Sequence, residues 1–149
     1  QNFNTSTIEI IEQKYNMAIS LFQSGKYNDS ENLILEIIDV IPDNSDVYNF
    51  YGRVKQFQNN FDKSIELLKK SVELDNTNFE AIIRLANVLE EKGESGAALT
   101  LLESAINKKN HDVRVNIMKL KLSLITSTPT ELSHQIDNIL KKLSYLNEK

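Results

Sequence analysis

The chain has 149 residues, 40% hydrophobic and 26% charged, with four Gly, two Pro, no Cys and a net charge of −4. This is ordinary for a folded domain or a short run of stacked repeats. It excludes disulfides, thiolate metal sites and cysteine nucleophiles, and it leaves no material for long flexible linkers. No apolar run approaches the roughly eighteen residues that membrane insertion requires, and the negative charge argues against a nucleic-acid ligand.

In chain order, residues 1–5 carry no helical pattern and read as loose. The chain begins at Gln1 without the basic start and apolar core of a signal peptide, as a processed or excised chain would. Ser6 and Glu9 in STIE read as a capping box. Ile8, Ile11, Tyr15, Ala18 and Phe22 then follow at helical spacing, which predicts a first helix over about 7–23. Gly25 is the turn residue after it, and a second helix runs toward Pro42, where proline stops it. The pattern then recurs. Ala18, Gly52 and Ala86 are spaced by 34 residues, as are Ser30, Ser64 and Ala98; Gly25, Asn59 and Gly93; and Asn44, Asn78 and Asp112. A period of that length signals stacked supersecondary units, here pairs of amphipathic helices. The small residues at matched positions allow two antiparallel helices to approach closely. Gly or Asn at the turn tolerates the left-handed conformation, and Asn or Asp at the unit boundary caps the next helix. Ser71 and Ala105 are small where the second helix meets the following unit. Ile37 fills that place in the first unit, which predicts a wider contact.

Past Asp112 the pattern degrades. Residues 113–126 read as a helix, Thr128, Pro129 and Glu131 as the start of another, and Leu132, Ile136, Ile139, Leu140, Leu143 and Leu146 as its apolar stripe. Leu120 and Leu132 stand where the earlier units have small residues, so this pair is expected to sit further apart.

The repeated columns resemble the tetratricopeptide repeat, with units at 11–44, 45–78 and 79–112 and a degenerate fourth helix pair at 113–147. The departures are Lys14 and Ile82 in the tryptophan column, Lys55 in an aromatic column, and Pro42 without counterparts at Asn76 and Asn110. Lys55 must therefore snorkel or face open space. The resemblance implies a single all-α domain of about eight helices, a right-handed superhelical solenoid of antiparallel helix pairs. Its concave side would be lined by each unit's first helix, through the second, fifth, ninth and twelfth positions. Carried onto this chain, those positions give a candidate peptide-binding groove of Tyr15, Ile19, Phe22, Asn49, Arg53, Gln56, Ile83 and Asn87. It would be apolar at the first unit and polar through the middle. Glu12, Asp46 and Glu80 occupy the second position, and Glu90 the twelfth of the third unit. The lysine and asparagine of the carboxylate-gripping subgroup are replaced by Tyr15 and Ile19, which predicts against carboxylate clamping.

No set of residues assembles a catalytic, metal or cofactor site. His111 and His134 stand apart from one another, Glu90, Glu91 and Glu94 fall at an exposed helix end, and the four glycines are scattered. The sequence therefore reads as a non-enzymatic module whose partner is a protein or peptide. The alternative is a structural or self-associating arm of a larger assembly, a homo-oligomer included. Residues 108–149 carry a net charge of +4 against −8 for residues 1–107, so an acidic front could meet a basic rear. A Cys-free chain suits the cytoplasm, which is favoured, or the periplasm.

Overall fold

A computed structural model describes residues 4–107 and 113–147, with side chains up to Ile106 and from Val113 to Lys141. His111, Asp112 and the side chains of Leu143 and Leu146, all singled out above, lie outside the described residues, as do residues 1–3. The chain forms α1 (Thr5–Gln23), α2 (Tyr27–Val40), α3 (Ser45–Phe57), α4 (Phe61–Leu74), α5 (Phe79–Glu91), α6 (Ser95–Asn107), α7 (Val113–Thr126) and α8 (Pro129–Asn147). No strand occurs among the described residues. No described helix is long and apolar enough to cross a membrane.

The boundaries follow from local chemistry. Gly25, Asn59 and Gly93 have φ of 75°, 58° and 85°. At each, two backbone N–H groups fold back onto the preceding helix. Gly25 N donates to Phe22 O and Lys26 N to Leu21 O; Asn59 N donates to Gln56 O and Asn60 N to Lys55 O; Gly93 N donates to Glu90 O and Glu94 N to Leu89 O. Three copies of one left-handed cap thus reverse the chain in the same way. Asn44 and Asn78 cap α3 and α5, each side chain accepting from the N–H three residues on, at Val47 and Ala81. The predicted cap at Ser6 is replaced by Asn4, whose Oδ1 accepts from Thr7 N at 2.8 Å and from Thr7 Oγ1 at 2.7 Å. Asn is as good a cap as Ser, and this choice lets α1 begin two residues earlier, at Thr5. Thr128 and Glu131 do form the reciprocal box at the start of α8, with Thr128 N donating to Glu131 Oε2 at 2.9 Å.

The small-residue columns are where the helices of each pair meet. Ala18, Gly52, Ala86, Ser30, Ser64 and Ala98 are fully or almost fully buried. Contact is close enough for Ser30 Oγ to donate to Ala18 O at 2.8 Å and for Ser64 Oγ to donate to Gly52 O at 2.7 Å. Around these contacts two apolar cores form. One contains Phe22, Ile34, Ile37, Val47, Phe50 and Val54, and the other Leu68, Leu85, Val88, Leu102, Val115 and Leu122. A polar knot joins α3, α4 and the capping residue of α5. Ser71 Oγ donates to Ser45 O, Ser45 Oγ to Ser71 O, and Asn78 Nδ2 to Ser45 Oγ and Asp46 Oδ1. The junction at Ile37, α2 against α3, makes a sparser contact than α4 against α5, as its bulk predicts.

α7 packs on α5 and α6 through Val115, Met118 and Leu122. On α8, Leu132, Gln135 and Ile139 are half-buried, and Gln135 Nε2 donates to Ser127 Oγ at 3.3 Å.

A Cβ added at Gly52 would sit 2.6 Å from Leu68 Cγ and 3.3 Å from Ser64 O. Gly52→Ala is expected to lower unfolding free energy by about 1–3 kcal/mol through overpacking. Gly93→Ala meets no neighbour and should cost about 1–2 kcal/mol through its φ alone. Urea unfolding monitored by circular dichroism measures both.

Candidate functional site

The first helices of the three units, α1, α3 and α5, run side by side and bound a cleft of about 310 Å³. Tyr15 and Ile19 come from α1; Asp46, Asn49, Phe50 and Arg53 from α3; Glu80 and Arg84 from α5. Four of the predicted groove residues, Tyr15, Ile19, Asn49 and Arg53, are thus brought together. Pattern reading had placed Asp46 and Glu80 at the second position of their helices without including them in the groove. Phe50 and Arg84 are not among the predicted groove residues. Both stand at the sixth position, which turns inward toward the neighbouring first helix.

The predicted apolar patch on α1 is not open. Phe22 is 6% exposed, with Tyr27, Phe50 and Phe57 packed against its ring at centroid distances of 5.4, 5.7 and 4.9 Å. The Arg53 guanidinium lies 4.7 Å above the same ring. Tyr15 and Ile19 are half-buried, with Tyr15 edge-on to Phe50 at 5.6 Å. α3 covers this stripe because neighbouring first helices pack on each other, a contact that one helix's periodicity does not reveal.

Asn49 is also buried. Its Oδ1 accepts from Arg84 Nε at 3.1 Å, and Arg84 Nη2 donates to Glu80 Oε1 at 2.7 Å. The chain Asn49–Arg84–Glu80 ties α3 to α5 across the floor of the cleft. Burial is the largest influence on Arg84 and lowers its pKa, with Glu80 acting against it. Burial also raises the Tyr15 pKa, helped by the carboxylates of Asp46 and Glu80. Arg53 differs from Arg84: its Nε is buried without a hydrogen-bond partner while its guanidinium stacks on Phe22. Gln56 donates to Glu91 Oε1 at 2.8 Å; Ile83 and Asn87 are half-buried on α5.

Lys55 resolves its unusual column through an ion pair. Its ammonium meets Glu31 on α2, both side chains mostly buried, and lies 5.7 Å from the Tyr51 ring centroid. Tyr51 Oη donates to Glu31 Oε1 at 2.8 Å and Gln58 Nε2 to Glu31 Oε2 at 3.0 Å. Burial alone would raise the Glu31 pKa, but the hydrogen bonds from Lys55, Gln58 and Tyr51 outweigh it and hold the carboxyl below its ordinary value. Burial and the Glu31 carboxylate push the Tyr51 phenol well above its ordinary range. Among the described residues no three His, Cys, Asp or Glu side chains cluster as metal ligands, and His134 is exposed.

The cleft, the repeated left-handed caps and the paired small residues are now joined by comparison with known proteins. Residues 58–122 match the family model of the tetratricopeptide repeat. The fold is that of the tetratricopeptide repeat proteins. The chain is similar to the Yersinia enterocolitica type III secretion chaperone SycD, solved with a peptide of the translocator YopD. Identity is 22% and the TM-score 0.70, over 83% of this chain and all of that one. It is similar to the second tetratricopeptide domain of human RPAP3, solved with an HSP70 peptide, at 13% identity and a TM-score of 0.64 over 74% of this chain and 92% of that one. A Thermobaculum terrenum O-GlcNAc transferase aligns at 22% identity and a TM-score of 0.68, over 81% of this chain but 23% of its own. No curated protein matches the sequence.

Because Glu31 has a depressed pKa in the folded chain, its contribution is present above the ordinary carboxyl pKa and is lost as pH falls through the folded value. Glu31→Gln should therefore lower stability at neutral pH and flatten the loss of stability below about pH 4.5. Thermal unfolding between pH 3 and 7 reads the difference.

Proposed function

We propose that the chain is a non-enzymatic interaction module that holds an extended peptide segment of a partner protein along α1, α3 and α5. The observation that carries this is the cleft between the three first helices. It offers an apolar wall from Tyr15 and Ile19, and a guanidinium at Arg53 whose buried Nε has no partner in the protein. A backbone carbonyl or side-chain oxygen of a bound segment would supply that partner, and supplying it recovers the cost of an unmet buried donor. Asn87, one turn from Ile83 on α5, extends the polar track and can both donate to and accept from a peptide backbone. Asn49 has a different part: with its oxygen taken by Arg84, it fixes the floor rather than reading the ligand. The peptides bound to SycD and to RPAP3 in their solved structures support this choice of ligand class.

A second reading is favoured by one observation. The O-GlcNAc transferase neighbour is far longer than the aligned part, so a helical stack of this kind can serve as one arm of a larger enzyme.

Arrayed peptides probed with the purified chain, followed by titration calorimetry on the strongest binder, test the groove. Arg53→Ala and Asn87→Ala should each weaken binding about tenfold or more, equivalent to about 1.4 kcal/mol. Asn49→Ala should lower the melting temperature as well as affinity. Unchanged affinity in both Arg53→Ala and Asn87→Ala would remove the groove from consideration.

A further inference from the structure

Four charged side chains line the cleft: Asp46, Arg53, Glu80 and Arg84. Two of them compensate each other, since Arg84 Nη2 donates to Glu80 Oε1 at 2.7 Å, one turn away on α5. The other two have no counter-charge among the described residues. Asp46 Oδ1 accepts at 3.0 Å from the neutral amide of Asn78. Arg53 has only ring faces beside its guanidinium, Phe22 at 4.7 Å and Phe57 at 6.0 Å, and its Nε is buried without a partner. Both residues stand on α3 (Ser45–Phe57). They are seven positions apart, about two turns, so they share one face with about 10 Å between them along the axis.

Each of these charges is felt inside the cleft. Burial is the main reason that the Tyr15 pKa is raised, and Asp46 is the foremost of the charges acting in the same sense. Burial likewise dominates the lowering at Arg84, and the nearby Arg53 charge adds to it. The cleft is therefore bipolar, negative toward the start of α3 and positive toward its end. The apolar wall of Tyr15 and Ile19 runs alongside on α1.

An extended segment that crosses α3 turns successive side chains to opposite sides. One then reaches toward Asp46 and the next toward Arg53. Resting on the groove reading, we propose that the bound segment carries a basic and an acidic side chain at adjacent positions, the acidic one paired with Arg53 and the basic one with Asp46. The two pairs are unequal. Arg53 is half-buried, so its charge is poorly hydrated and gains more from a carboxylate than a charge in open water would. Asp46 is exposed, and water screens what it can offer a cation. A phosphorylated side chain fits less well than a carboxylate, because its second negative charge would meet Asp46 and Glu80 in the same cleft.

The test uses arrayed peptides with adjacent lysine and glutamate in both orders, set beside the same peptides with glutamine at one or both places. All are amidated at the C-terminus, so no terminal carboxylate can serve. In titration calorimetry on the strongest binder, glutamate to glutamine should weaken affinity about tenfold and lysine to glutamine about threefold. Arg53→Gln should erase the first difference and keep the second; Asp46→Asn should do the reverse. The peptide comparison needs only the unaltered chain, so it decides the matter even where a variant folds poorly. Glutamine peptides that bind as tightly as charged ones, while Arg53→Ala and Asn87→Ala still weaken binding, would overturn the charge pairing and leave the groove standing. Binding that requires a free C-terminus or a phosphate would overturn it as well, and an array without any binder would remove both.

Discussion

Close approach of paired helices at the small-residue columns is the constraint on which the architecture depends. Where Ala18 meets Ser30 and Gly52 meets Ser64, the helices are near enough for a side-chain hydroxyl to reach a backbone carbonyl of the facing helix. That carbonyl is also an acceptor within its own helix, and its second lone pair makes the additional bond available. The bond satisfies a serine that is otherwise fully buried, so polarity and proximity are solved by the same contact. At Ala86 and Ala98 the approach is apolar and needs no such bond. Larger residues in these columns would hold helices apart.

The cleft is a consequence of this stacking. Because each pair is joined by the same left-handed turn, the first helices fall on one side and pack on each other as well as on their own partners. Part of the side-chain chemistry on that side is spent on holding them together. Asn49, Arg84 and Glu80 form one such tie, and Phe22 with Phe50 and Phe57 another. What remains toward solvent is narrower than a count of groove positions suggests, and Arg53 is its most distinctive member.

Much of this was legible in the chain itself. A period of 34 residues, with Gly25, Asn59 and Gly93 at the turns and Asn44 and Asn78 at the boundaries, determines helix pairs and their reversal. Backbone conformation and capping are local chemistry, settled within four or five residues. The mistaken cap at Ser6 shows the limit of that locality. Asn4 and Ser6 are both acceptable caps, and only the folded backbone selects one.

The sequence by itself determined the number, type and pairing of the helices, the small contacts between them, and the lack of cysteine chemistry. Tertiary structure alone decided which groove positions stay open. It buried Phe22 under α3, committed the Asn49 oxygen to Arg84, and drew Glu31 from α2 to neutralise Lys55 on α3. These contacts join residues from 24 positions apart (Glu31 and Lys55) to 35 (Asn49 and Arg84), on helices whose own periodicities say only which face is apolar and not what lies across from it. Helical pattern is a one-dimensional property of a segment, whereas burial of a given side chain depends on the neighbour that stacking brings to it.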